Sequence, residues 1–184
     1  MLIQRLTFAS MFILIFSFSM NSCFTSKKLS TASIPVVKDF DLERYLGTWH
    51  EISRLPNSFE KNLDRVTATY TLREDGKIDV LNRGFDSTKN SWQEAKGKAW
   101  IPDAQVPARL KVSFFWIFAS DYKVIALDSV NYSYAVVTSG SKKYLWILSR
   151  TPQMDDELYT QLVQKAKEYG FEIDKLYKVS HTGG

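Results

Sequence analysis

The chain has 184 residues, 45% hydrophobic and 14% aromatic, with a net charge of +4 and a single cysteine. That length and apolar share suit one domain with a sizeable core. The modest positive balance forms no Arg/Lys stripe with interleaved aromatics, which argues against a nucleic-acid groove and suits an anionic membrane surface instead; one cysteine excludes an internal disulfide.

The chain opens MLIQRLTFASMFILIFSFSMNSC, where Arg5 is the one charge before Cys23 and Leu6 to Met20 form an apolar run. A short positive start and an apolar stretch too short to span a bilayer comfortably read as an export signal over residues 1–22. Ser22-Cys23 at its end resembles the lipobox of bacterial lipoproteins, although Met20 and Asn21 depart from the preferred Leu and small residue. The resemblance implies that Cys23 is acylated and becomes the mature N-terminus. Each buried methylene adds about 0.8 kcal/mol of membrane affinity, so several acyl chains anchor a domain stably. The Ser-, Thr- and Lys-rich segment that follows reads as a flexible tether over 23–39, reaching on the order of 50 Å when stretched. Residues 40–184 are left as the folded domain.

GTWHEISRL opens the domain as a strand, followed by a loop with Pro56, Asn57 and Phe59. VTATYTLR (66–73) alternates, with Val66, Ala68, Tyr70 and Leu72 on one face. Asp75-Gly76 signals a tight hairpin into KIDVLNR, where Ile78, Val80 and Asn82 share a face. Strand-like runs continue at 91–101, 109–117, 122–128, 132–139 and 143–150, each bounded by turn residues, to give eight strands. The period then lengthens to that of a helix over 155–170, with Leu158, Leu162, Ala166 and Tyr169 on one stripe. Asp155 is its N-cap and Gly170 its stop, and DKLYKVS forms a short last strand. Eight consecutive strands and one late helix predict an all-β fold: an eight-stranded antiparallel up-and-down barrel, closed so that no edge is exposed. At that size the interior either packs solid or holds one small ligand.

In such a barrel the first and last strands are neighbours, so Arg150 can stack on Trp49, while Gly47 lets the entering chain pass close by. GTWHEISRLPNSFEK, VIALDSVNYSYAVV and LWILSRTP, in that order, resemble the three characteristic stretches of the lipocalins. The likeness is strongest to bacterial outer-membrane lipoprotein lipocalins and their plant temperature-induced and apolipoprotein D relatives. It implies a cup with the helix packed outside, a structural floor of Gly47, Trp49 and Arg150, and a rim loop carrying Pro56, Asn57 and Phe59.

Alternation nominates Tyr70, Val80, Asn82, Ala99, Val112, Phe114, Tyr122, Val136 and Trp146 as ligand-lining. Ala95, Gly97 and Ala99 are small and would leave volume. In SFFWIF (113–118) both faces are aromatic, so Phe115 and Ile117 are expected to point outward. Arg54 and Arg109 are candidates to meet an anionic head. His50 and His181 are the only histidines and lack metal-spaced companions; Glu51 and Glu60 read as buried structural carboxylates, and no catalytic triad or nucleophile elbow occurs. No catalytic residue, metal or cofactor is assigned. With Phe24 after Cys23, the expectation is a non-enzymatic lipoprotein of the outer membrane, facing the periplasm, which binds a fatty acid or lysophospholipid for lipid storage or transport. It would be a monomer or weak homodimer, without nucleic-acid partners. A scavenger of haem or pigment, and a solid barrel that binds an envelope partner, stay as alternatives.

Overall fold

The computed structural model describes residues 29–115 and 118–182. The export signal, Cys23, Trp116 and Ile117 lie outside the described residues, and with them the outward placement expected of Ile117 and of the Phe115 side chain.

A single turn of helix, α1 (Leu42–Tyr45), is capped by the Asp41 carboxylate, which accepts from the Glu43 and Arg44 amides. Eight antiparallel strands follow: β1 (Gly47–Arg54), β2 (Leu63–Leu72), β3 (Ile78–Asp86), β4 (Ser91–Trp100), β5 (Arg109–Phe115), β6 (Phe118–Leu127), β7 (Tyr134–Thr138) and β8 (Leu145–Ser149). Each pairs with the next, and β1 pairs with both β2 and β8, which closes the barrel. Closure is incomplete at one seam. β1 leaves β2 after His50, and a bulge around Ile52 turns its upper half toward β8. The strand β9 (Tyr177–Lys178) takes the vacated edge at Ser53 and Arg54. Val179 then donates its amide to the Ile52 carbonyl, and a ring nitrogen of His181 bonds the Glu51 carbonyl. The C-terminal residues thus satisfy backbone groups that an open edge would expose.

Two apolar cores result. Inside the barrel pack Tyr45, Trp49, Tyr70, Ile78, Val80, Leu110, Val124 and Leu148. Outside, α2 (Asp156–Glu168) lays Leu162 and Ala166 on Ile52, Ile125, Val136 and Ile147. Asp155 caps α2 as its sequence predicts, accepting from the Leu158 amide at 3.0 Å.

Residues 31–37, expected to belong to a flexible tether, are instead seated on the barrel. Thr31 donates its hydroxyl to the Ser139 carbonyl at 2.6 Å, and Ile34 is buried in the outer core. The buried Lys123 ammonium donates to the Thr31 and Ile34 carbonyls at 2.6 and 2.7 Å. The hydroxyls and the lysine-poor stretch STASIPVV look like linker composition. Their backbone carbonyls are nonetheless the partners that a buried ammonium requires.

Candidate functional site

The floor is built where β1 begins. Trp49 is fully buried and donates its indole N–H to the Tyr45 carbonyl at 2.8 Å. The Arg150 guanidinium lies 3.8 Å over the Trp49 ring. It also donates to three carbonyls: Arg44 at 2.7 Å, Thr48 at 3.0 Å and Tyr132 at 3.3 Å. Gly47, at φ +88, sits where an added Cβ would lie 3.5 Å from the guanidinium; the positive φ is what restricts the position to glycine.

Above the floor, the lower half of the cup is full. Tyr45, Tyr70 and Tyr122 converge, with Tyr45 to Tyr122 oxygens at 2.6 Å and the Tyr70 hydroxyl donating to Tyr122 at 3.0 Å. Burial raises all three phenols, Tyr70 to about 12, so the triad stays neutral at any physiological pH. Val80 and Ala99 are also buried at this depth. Tyr70, Val80 and Ala99, expected to line the ligand, are buried in this packed lower half.

The open space lies higher. The register sets Asn82 between Ala68 and Ala95, and Val112 opposite Ala99. Asn82, Val112, Phe114, Tyr122 and Trp146 are only partly buried, and Ala95 is exposed although its neighbours in the register face inward. The volume expected at Gly97 is occupied: a Cβ there would meet the Phe114 ring at 2.8 Å, so the missing side chain is what admits the phenyl group. Of the three small residues on β4, Ala95 alone is exposed.

One wall of the mouth is charged. Arg54 donates to the Glu51 carboxylate at 2.7 Å and to the Glu60 and Leu63 carbonyls at 2.7 and 2.9 Å. All three side chains are buried. The Glu60 carboxylate accepts from Asn57 and, at 3.0 Å, from the Trp146 indole. One guanidinium thus faces two buried carboxylates. Burial and the neighbouring Glu60 charge push the Glu51 carboxyl well above its usual range, against the pull of Arg54. Sequence reasoning identified both carboxylates but offered Arg54 as a cation for a ligand; the bulge at Ile52 turns Arg54 into the barrel, where Glu51 and the Glu60 and Leu63 carbonyls take up its donors.

The rim loop after Arg54 overhangs this wall. Pro56 and Phe59 are exposed; Phe59 stacks at 5.9 Å on Tyr144, which lies parallel to Trp146 at 6.0 Å. Asn57 fastens the loop through Glu60, whose amide donates back to the Asn57 side-chain oxygen at 2.9 Å.

Two expectations are corrected. Val136 does not line the cup; it packs outside under α2, while Ala135 and Val137 face inward. β7 is apolar on both faces, so its sequence carries no alternation to read. Arg109 starts β5 at the closed end of the barrel and pairs with Asp121, far from the mouth. His50 faces away from the cup, its ring edge-on to His181 at 5.4 Å. Among the described residues no group of three or more His, Cys, Asp or Glu is placed to hold a metal.

A closed eight-stranded cup with an outer helix, an Arg–Trp floor and an overhanging first loop defines a small barrel built to enclose a ligand. The chain belongs to the lipocalin family: the lipocalin-like domain model matches residues 40–181. It is 48% identical to the outer membrane lipoprotein Blc of Citrobacter freundii over 150 residues, covering 82% of this chain and 84% of that protein. It is 43% identical to temperature-induced lipocalin-1 of Arabidopsis thaliana, covering 80% of this chain and 82% of that protein. Insecticyanin from the tobacco hornworm Manduca sexta shares the fold, with a TM-score of 0.66 at 22% identity over 82% of this chain and 85% of that one.

Proposed function

We propose that this lipocalin carries a fatty acid or lysophospholipid in the upper half of its cup, with the acyl chain inside and the head at the mouth. The observation that carries the reading is the contrast between the two halves. Below, the tyrosine triad and Trp49 fill the barrel. Above, Val112, Phe114, Trp146 and the exposed Ala95 leave an apolar wall that is only partly covered. Partly covered apolar surface inside a rigid cup is the feature that gains most from an acyl chain. The Arg54 donors are taken by Glu51 and two carbonyls, so a carboxylate or phosphate head gains by staying in the water at the rim.

The anchoring expectation adds to this. Acylated Cys23 would hold the cup at the outer membrane, facing the periplasm, where it stores or moves single-chain lipids without catalysis. The printed name of the Citrobacter relative, an outer membrane lipoprotein, favours that location. The test is to purify residues 24–184, extract whatever copurifies and weigh it by mass spectrometry. Single-chain lipids at close to one per protein are expected, and Ala95→Trp should remove them. A haem or pigment in the extract would move the reading to a scavenger, and an empty, lipid-refractory cup would move it to a partner-binding barrel.

A further inference from the structure

The outer wall of a barrel is convex, and α2 packs on β1, β6, β7 and β8, away from β2 to β5. Even so, a groove of about 1030 Å³ crosses these strands, lined mainly by their outward residues and reaching Val80, Gly97 and Phe114 of the inner face. Its floor follows from the register. Leu81 sits between Thr69 and Lys96, Asp79 between Thr71 and Lys98, and Trp100 beside Lys111. Phe118 at the start of β6, 72% exposed, completes the rim. Leu81 and Trp100 are partly buried.

Its charge is one-sided. Lys77, Lys96 and Lys98 line it, and among the described residues none of the three has a carboxylate within ion-pair distance. The one carboxylate lining the groove, Asp79, is held by Arg73 at 3.0 Å. Three unpaired ammonium groups around Leu81, Trp100 and Phe118 attract an anion that carries an apolar tail.

We propose that this outer groove is a second binding site, separate from the cup, for a single-chain anionic amphiphile: the head meets Lys96 and Lys98 and the chain lies along Leu81 and Trp100 toward Phe118. The site stands independently of the cup reading. It gives the barrel a place to hold an anionic lipid on its wall while another occupies its interior.

The test uses residues 24–184, which contain every residue of both cores, and dodecyl phosphate and lauric acid below their micelle concentrations. Native mass spectrometry counts the bound molecules, and the bromine of 12-bromododecanoic acid quenches Trp100. The expected result is two sites. The double variant K96E/K98E loses one of them, weakened about tenfold or more, together with the Trp100 quenching, while the other site is unchanged. Ala95→Trp blocks the cup and leaves the groove site and its quenching intact. If K96E/K98E still binds two, or if a single site disappears with Ala95→Trp, the proposal is wrong. Equal groove binding of dodecyltrimethylammonium would overturn the charge argument, and binding to anionic vesicles without any monomer binding would make the wall a membrane contact instead. Loss of cup binding alone would count against the cup and leave the groove standing.

Discussion

Replacing Arg150 by Ala tests the floor. The guanidinium 3.8 Å over Trp49 is partly desolvated, and such a cation–π contact contributes about 1–2 kcal/mol. Its three bonds to the Arg44, Thr48 and Tyr132 carbonyls add about 1 kcal/mol each, since all are made by a charged donor but partly in reach of water. The sum is roughly 4 kcal/mol, which for a domain of this size lowers the melting temperature by about 8–16 °C. Arg150→Lys keeps the charge but offers a point donor that cannot serve three carbonyls while stacking, so about half the loss is expected. Thermal unfolding of residues 24–184 by circular dichroism measures both. Lipid titration at a temperature where each variant is fully folded should give unchanged stoichiometry. A loss under about 1 kcal/mol, or collapsed affinity in a folded variant, would refute the assignment of Arg150 to stability.

Other perturbations probe the rest of the barrel. Gly97→Ala forces the Phe114 ring, 2.8 Å from the new Cβ, toward the cup; it should cost about 1–3 kcal/mol in urea unfolding and weaken lipid binding as well. Lys123→Ala removes the ammonium that bridges the Thr31 and Ile34 carbonyls, so residues 31–37 should become sensitive to limited proteolysis while the barrel keeps its spectrum. For Glu51 the sign follows from its raised folded-state pKa. The stability it confers is full below its ordinary value of 4.5 and is lost as pH rises through the folded value. The stability difference between wild type and Glu51→Gln should therefore move against wild type as pH rises from 4.5 to neutrality. Taking the difference cancels His50, whose pKa is lowered from 6.5 by burial and by His181 and which acts in the opposite sense. A difference flat across that range would mean that Glu51 is ionised in the fold.

The barrel was legible because Val66, Ala68 and Tyr70 on β2 and Ile78 and Val80 on β3 alternate with polar residues, because turn residues bound each strand, and because Asp155 and the acids behind it mark the helix. The floor was legible because Trp49 and Arg150 fall on adjacent strands in an all-next-neighbour topology. Reading failed where the local pattern is silent. β7 is apolar on both faces, which misplaced Val136. The bulge at Ile52 shifts parity by one residue, so the inward turn of Arg54 could not be counted from alternation. Gly97 looked like empty volume because a glycine in a sequence cannot say which ring fills its place. The tyrosine triad joins residues 45, 70 and 122 through hydroxyls whose heights depend on shear and tilt, which spacing alone does not supply. Residues 31–37 have the composition of a tether, and the sign that could have pinned them is Lys123, a charge directly before the apolar run Val124–Leu127 of β6.

The most direct test of the central claim is titration of residues 24–184 with a lysophospholipid, followed by tryptophan fluorescence, since Trp146 borders the cup. Saturable binding at one per chain, abolished by Phe114→Glu in a protein with unchanged circular dichroism, is the result expected of an acyl chain held in the upper barrel. A titration with no saturable change, or one that Phe114→Glu leaves untouched, would contradict it.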